Sequence, residues 1–147
     1  MPFKVLRTAS LALLAGALTV LVAPASAHEY YVDGFVFIHP WAEASEPGDT
    51  NAAVYFKLEN VVRTDRLIKA STALAERVEL RDLPQKDAPA ASTLAVPTGE
   101  TVEFSPGHPH VVLVGLKQPL QWGRSYPMTF VFEKAGPVQV MVSIGAH

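Results

Sequence analysis

Residues 53–59, Ala53-Val54-Tyr55-Phe56-Lys57-Leu58-Glu59, decide the fold class. In an extended chain Val54, Phe56 and Leu58 fall on one side and Tyr55, Lys57 and Glu59 on the other, the period of a strand with one face on a core and one in water. Working outward, seven more runs are alternating or rich in β-branched residues: Tyr31–Ile38, Leu67–Ser71, Arg77–Arg81, Thr101–Phe104, His110–Leu116, Met128–Glu133 and Val138–Ile144. Turn formers separate them, among them Pro47-Gly48-Asp49, Pro97-Thr98-Gly99, Pro106-Gly107 and Gly136-Pro137. Apolar residues at helical spacing are nearly absent; Ser71–Glu76 has room for one helical turn. Eight short strands at this spacing predict an all-β, antiparallel sandwich or barrel. Residues 83–93 shift to Pro, Ala, Ser, Lys and Asp and predict an exposed loop. No repeat, heptad or linker divides the chain, which predicts a single domain over residues 28–147.

Residues 1–27 read differently. Lys4 and Arg7 precede an apolar run from Leu11 to Val22, followed by Ala25-Ser26-Ala27, the small-x-small pattern at which signal peptides are cut. A retained membrane anchor is the other reading of such a segment, but the run is shorter than the roughly 20 apolar residues a span requires. Cleavage after Ala27 takes the 147-residue chain to 120 residues beginning at His28, with no membrane span left. Losing Lys4 and Arg7 takes the 12 basic residues to 10 against 14 acidic ones, and the formal charge from −2 to −4. The prediction is an exported, mildly acidic domain located in the periplasm.

Composition narrows the chemistry. The absence of cysteine excludes a disulfide scaffold, a thiol nucleophile, an iron–sulfur cluster and every thiolate metal site. The acidic balance argues against nucleic acid as a partner. Nucleophile-elbow, phosphate-loop and dinucleotide glycine motifs are missing, and the reading is that the protein is not an enzyme. Metal must therefore be held by imidazole, carboxylate, thioether or backbone.

Three histidines stand out. His108 and His110, separated by Pro109, lie two apart on an extended segment and project to one side, so that both can reach one ion; a plain surface pair is the alternative. His28, once first in the chain, offers its α-amino group and a ring nitrogen as a chelate, and a second histidine completes a T-shaped nitrogen set that suits copper(II). The alternative is a frayed end that happens to begin with histidine. His39, between Ile38 and Pro40, reads as a packing or capping residue at a strand end, and His147 as a loose terminus. Met128 and Met141 sit in strand runs with apolar neighbours and are expected to pack.

The order of these pieces resembles one family, the periplasmic copper chaperones of the PCu(A)C type. The matching segments run from His28-Glu29-Tyr30 and His39-Pro40-Trp41-Ala42 through Leu58-Glu59-Asn60, Asp65-Arg66-Leu67-Ile68, Val78-Glu79-Leu80 and Val96-Pro97-Thr98-Gly99-Glu100. They continue in Ser105-Pro106-Gly107, His110–Leu116 and Phe132-Glu133-Lys134-Ala135-Gly136, spanning nearly all of residues 28–147 in one register. The resemblance implies a cupredoxin-like β-sandwich and a copper(I) site of two imidazoles and two thioethers: a His directly after Glu-Leu, a Met in the following loop and a later His-x-Met pair. This sequence departs from that set. Arg81 follows Glu79-Leu80, the loop holds no methionine and places Asp87 or a neighbour there, and the later pair is His110 with Val112. A guanidinium is permanently charged and donates no lone pair, so only His110 remains of the four.

Two functions follow. The first is a divergent copper-binding protein or copper chaperone that uses nitrogen, His110 with His108 or with the His28 terminus, and hands copper to a periplasmic or membrane recipient protein. The second is a metal-free interaction module on the same scaffold, with Arg81 making the surface near His110 polar or anion-binding. A copper oxidase built on His28 is a third reading, without any further residue to mark a substrate.

Overall fold

In the computed structural model, which describes residues 2, 28–83, 85 and 88–145, the domain is all-β, with no helix among the described residues. Ten strands form it: β1 Glu29–Val32, β2 Phe35–Ala42, β3 Asn51–Val61, β4 Asp65–Ser71, β5 Ala75–Arg81, β6 Leu94–Val96, β7 Gly99–Phe104, β8 His110–Leu116, β9 Ser125–Phe132 and β10 Gly136–Ile144. The two beyond the eight predicted have simple causes. The run Tyr31–Ile38 is a hairpin, β1 and β2, folded at Asp33-Gly34, where Gly34 takes a left-handed φ of 102°. Three-residue β6 is too short to show an alternation. The helical turn allowed at Ser71–Glu76 is instead a tight turn into β5. The leader (Met1 and residues 3–27), Asp87 and His147 lie outside the described residues.

The strands run in the order β5-β8-β3-β2-β10-β9-β4-β6, with β1 added on β2 and β7 on β3. All pairs are antiparallel except β2 with β10. β4 returns to lie beside β5, so this cupredoxin-like sandwich is nearly a barrel.

Alternation fills the interior as the sequence predicts. Val54, Phe56 and Leu58 of β3 are buried, as are Met128, Phe130 and Phe132 of β9 and Val138, Val140, Val142 and Ile144 of β10. Phe37, Phe56 and Phe104 stack with centroids 4.6 Å apart in each successive pair, and Phe130 lies 5.0 Å from both Phe37 and Phe56. Large rings at this depth make the sandwich rigid at its centre.

Two strands change partner partway along, and this positions the site. β3 pairs with β8 through Asn51–Val54 and with β7 through Phe56–Val61. β2 pairs with β1 through Phe35–Ile38 and with β10 through Trp41 and Ala42. A bulge between Ile38 and Trp41 makes the second change, with His39 at a left-handed φ of 49°. The expected strand-end role of His39 is thus replaced by a place inside β2, where a bulge re-aims the chain.

Asp65 pins the far end. This buried carboxylate accepts backbone N–H donors from Arg66 at 2.7 Å, Lys134 at 2.9 Å and Ala135 at 3.0 Å, tying β4 to the β9–β10 turn. Burial pushes its pKa up, but the three N–H donors and the Lys134 ammonium outweigh that and hold it below the ordinary carboxylate value. A lowered folded pKa stabilises the fold above the unfolded value, about 3.9, and that contribution is lost as pH falls through the folded value. Asp65→Asn is expected to cost about 1.5–3 kcal/mol at pH 7 in denaturant unfolding, with the gap to wild type narrowing below pH of about 4. Equal stability of the two proteins at pH 7 contradicts this role.

Candidate metal centre

A single transverse row holds the chemistry. Ser143 of β10 pairs with Trp41 of β2, Trp41 with Tyr55 of β3, and His110 of β8 with Arg81 of β5. Tyr55 and His110 meet between these pairs, their rings 6.0 Å apart, while Trp41 and Tyr55 lie at 5.0 Å. Residues directly opposite on neighbouring strands share a face, so the row reads Ser143, Trp41, Tyr55, His110, Arg81 across five strands.

His110 stands at one end, buried beside an open pocket of about 450 Å³ lined by Asn51, Ala53, Tyr55, Arg81, His110 and Val112. Its Nδ1 lies 3.0 Å from the carbonyl oxygen of His108. A carbonyl only accepts, so Nδ1 carries a proton, and the tautomer this bond selects is the one with its lone pair on Nε2, as a metal-binding imidazole needs. Burial first, and Glu43 second, push the Tyr55 phenol above its usual range, so it remains a neutral hydroxyl. The exposed His108 has Nδ1 3.2 Å from Ser105 Oγ and 3.3 Å from the Pro106 carbonyl.

Arg81 faces His110 directly. Its guanidinium lies 2.5 Å from Glu79 Oε2 and donates to the Ala88 carbonyl, while Arg77 takes the other oxygen of Glu79 at 3.1 Å. The Ala91 N–H donates to the Leu80 carbonyl at 2.7 Å, so the segment after β5 folds back on β5 and is held there by Arg81. The loop predicted as exposed therefore packs in part, with Ala88 buried. Arg81 is a cation with only 15% of its side chain exposed, and Val112 lies opposite Glu79 one row along. The copper(I) site implied by the resemblance does not fit this corner: a fixed positive charge and an aliphatic side chain occupy two of its positions.

His28 lies elsewhere. Its Nδ1 is 3.0 Å from Ser143 Oγ, and its carbonyl accepts from the His39 N–H at 2.9 Å. Three strand spacings of about 4.8 Å, roughly 14 Å in all, separate Ser143 from His110. The fold therefore brings His108 and His110 to one corner and sets His28 beside His39 at the other end of the row. Among the described residues no group of three or more His, Asp or Glu side chains is gathered to hold a metal ion.

The methionines divide. Met128 packs, 2% exposed, as expected. Met141 does not: Val140 and Val142 take the inward positions of β10 and leave it on the outer face, 38% exposed. The apolar neighbours that suggested packing are the inward residues; the alternation of β10 is the signal that separates them. Ser143 and Tyr55 were likewise hidden, because strand order brings them to the site.

These features define a small all-β domain with histidines at both ends of one row, and the known proteins it is similar to give that class its name. Residues 36–144 match the family described as "Putative lipoprotein LpqE-like". A solved apo PCuAC domain from PmoF1 is 30% identical, covers 82% of this chain and 100% of its own, and superposes with a TM-score of 0.74. A copper-bound PCuAC domain from PmoF2 is 32% identical over 82% of this chain and 99% of its own, with a TM-score of 0.68. "Putative lipoprotein Lxx21020" of Leifsonia xyli subsp. xyli (strain CTCB07) is 27% identical over 137 residues, 89% of this chain and 81% of that protein. The chain belongs to the PCuAC family, as a divergent, LpqE-like member.

Arg81→Ala removes the cation that holds the segment after β5. The exchange rate of the Ala91 amide in hydrogen-exchange measurements is expected to rise roughly tenfold or more, the equivalent of a lost charged hydrogen bond of at least about 1.5 kcal/mol. Unchanged protection of that amide contradicts the assignment.

Proposed function

We propose that this is an exported copper-binding domain of the chaperone type that holds copper(II) through nitrogen, with His28 as the principal ligand. The family supplies the metal: the domains it is similar to include a copper-bound one. The observation that carries the ligand is the way residue 28 is held. Strand β1 starts at Glu29, and His28, the residue that cleavage after Ala27 makes first, is already held by Ser143 and by the His39 N–H. An α-amine, the His28 ring and an imidazole from the neighbouring His39 supply the nitrogen donors copper(II) favours. The backbone bond from His39 holds residue 28 in place, which a frayed end lacks, and the Ser143 hydroxyl at Nδ1, the ring nitrogen that closes such a chelate, gives way to the ion.

His110 and His108 form the second nitrogen pair. The Nε2 lone pair of His110 suits a metal, and the charge of Arg81 opposes one. Delivery of the metal to a periplasmic or membrane recipient follows the chaperone role of the family. The relatives' description as lipoproteins supports export to the periplasm. The alternative is a metal-free interaction module, supported by the Arg81–Glu79 pair, whose donors are turned inward to the Ala88 carbonyl and Glu79.

Copper(II) titration separates these readings, using protein that begins at His28, the same protein with one Met before His28, and His110→Ala. One copper(II) per chain is expected. The added Met should weaken binding by more than about a hundredfold, since even losing a hydrogen-bond partner of a ligand costs roughly 10–100-fold. His110→Ala should leave binding nearly unchanged. Affinity no better than that of free histidine leaves the metal-free reading; affinity lost only in His110→Ala moves the metal to β8.

A further inference from the structure

Met141 is the one methionine that neither the leader nor the core accounts for. Its position is fixed by two contacts. The Met141 N–H donates to Tyr30 Oη at 2.8 Å, and Ser143 Oγ lies 3.0 Å from His28 Nδ1. These two contacts, both made through side chains, bring Tyr30 and His28 up to the end of β10. Met141 and Ser143 stand two apart on the outer face of β10, roughly 7 Å from each other along the strand, with the ring of His28 already at Ser143. A methionine side chain has three rotatable bonds and a polarizable sulfur, so it spans a gap of this size and can set its sulfur beside the His28 ring.

We infer that Met141 is a thioether ligand of the His28 site, giving it affinity for copper(I) as well as copper(II). This rests on His28 being the copper ligand. The amine and imidazoles favour copper(II), while sulfur is soft and favours copper(I), so the mixed set holds either ion where a nitrogen set alone discriminates. It also places soft sulfur outside the corner that Arg81 occupies, at the other end of the row from Glu79 and Arg81.

The test uses protein beginning at His28, wild type and Met141→Leu, with copper(I) under anaerobic competition against a chromophoric chelator and copper(II) titrated in parallel. Leucine keeps the volume at an exposed site, so the fold is preserved. Met141→Leu is expected to lower copper(I) affinity at least tenfold and to leave copper(II) affinity within about threefold. In wild type the methyl resonance of Met141, and not that of Met128, should shift on adding copper(I). Unchanged copper(I) affinity in Met141→Leu, or an unmoved Met141 methyl, overturns the inference while the His28 reading stands. A wild type that takes up no copper(II) overturns both.

Discussion

Trp41 and Tyr55 pair at the level where both central strands change partner. On one side of them β2 passes from β1 to β10, through the left-handed His39; on the other β3 passes from β8 to β7. Hydrogen bonding along a strand edge admits one partner at a time, so each change has to occur at a bulge or a gap. The two changes coincide, and the consequence is one row of side chains running across five strands. Everything proposed for this protein lies at the two ends of that row.

The ends differ in charge. At the β5–β8 end the Arg81 guanidinium shares the one carboxylate of Glu79 with Arg77 and donates to the Ala88 carbonyl, so these three side chains together keep a positive charge. A cation approaching His110 meets a like charge in a low-dielectric corner, where Coulomb repulsion is weakly screened. At the β1–β10 end the row closes on the Ser143 hydroxyl and the His28 ring, with no guanidinium between them. The same scaffold that disfavours metal at one corner presents nitrogen, and on the inference above sulfur, at the other.

Much of this was legible in the sequence where alternation is strong. Val54, Phe56 and Leu58 point inward as read, β8 has the predicted bounds, and the join of Glu79-Leu80 to Arg81 and of His110 to Val112 marks the altered corner in the sequence itself. What stayed hidden depends on strand order, which a local pattern does not contain. Tyr31–Ile38 reads as one strand because its turn, Asp33-Gly34, is only two residues long. Met141 reads as core because valines flank it, although flanking residues in a strand face the other way. Grouping His28 with His110 required knowing that β10, β2 and β3 lie between them. Residue types carried the chemistry; the partner changes of β2 and β3 determined which of those residues meet.

Paramagnetic broadening tests the account most directly. With one equivalent of copper(II) bound to 15N-labelled protein beginning at His28, the account predicts loss of amide signals around His28, His39 and Ser143, with those of Leu80, Arg81 and Val112 retained. Broadening centred on His108 and His110, with the signals around Ser143 intact, would contradict it.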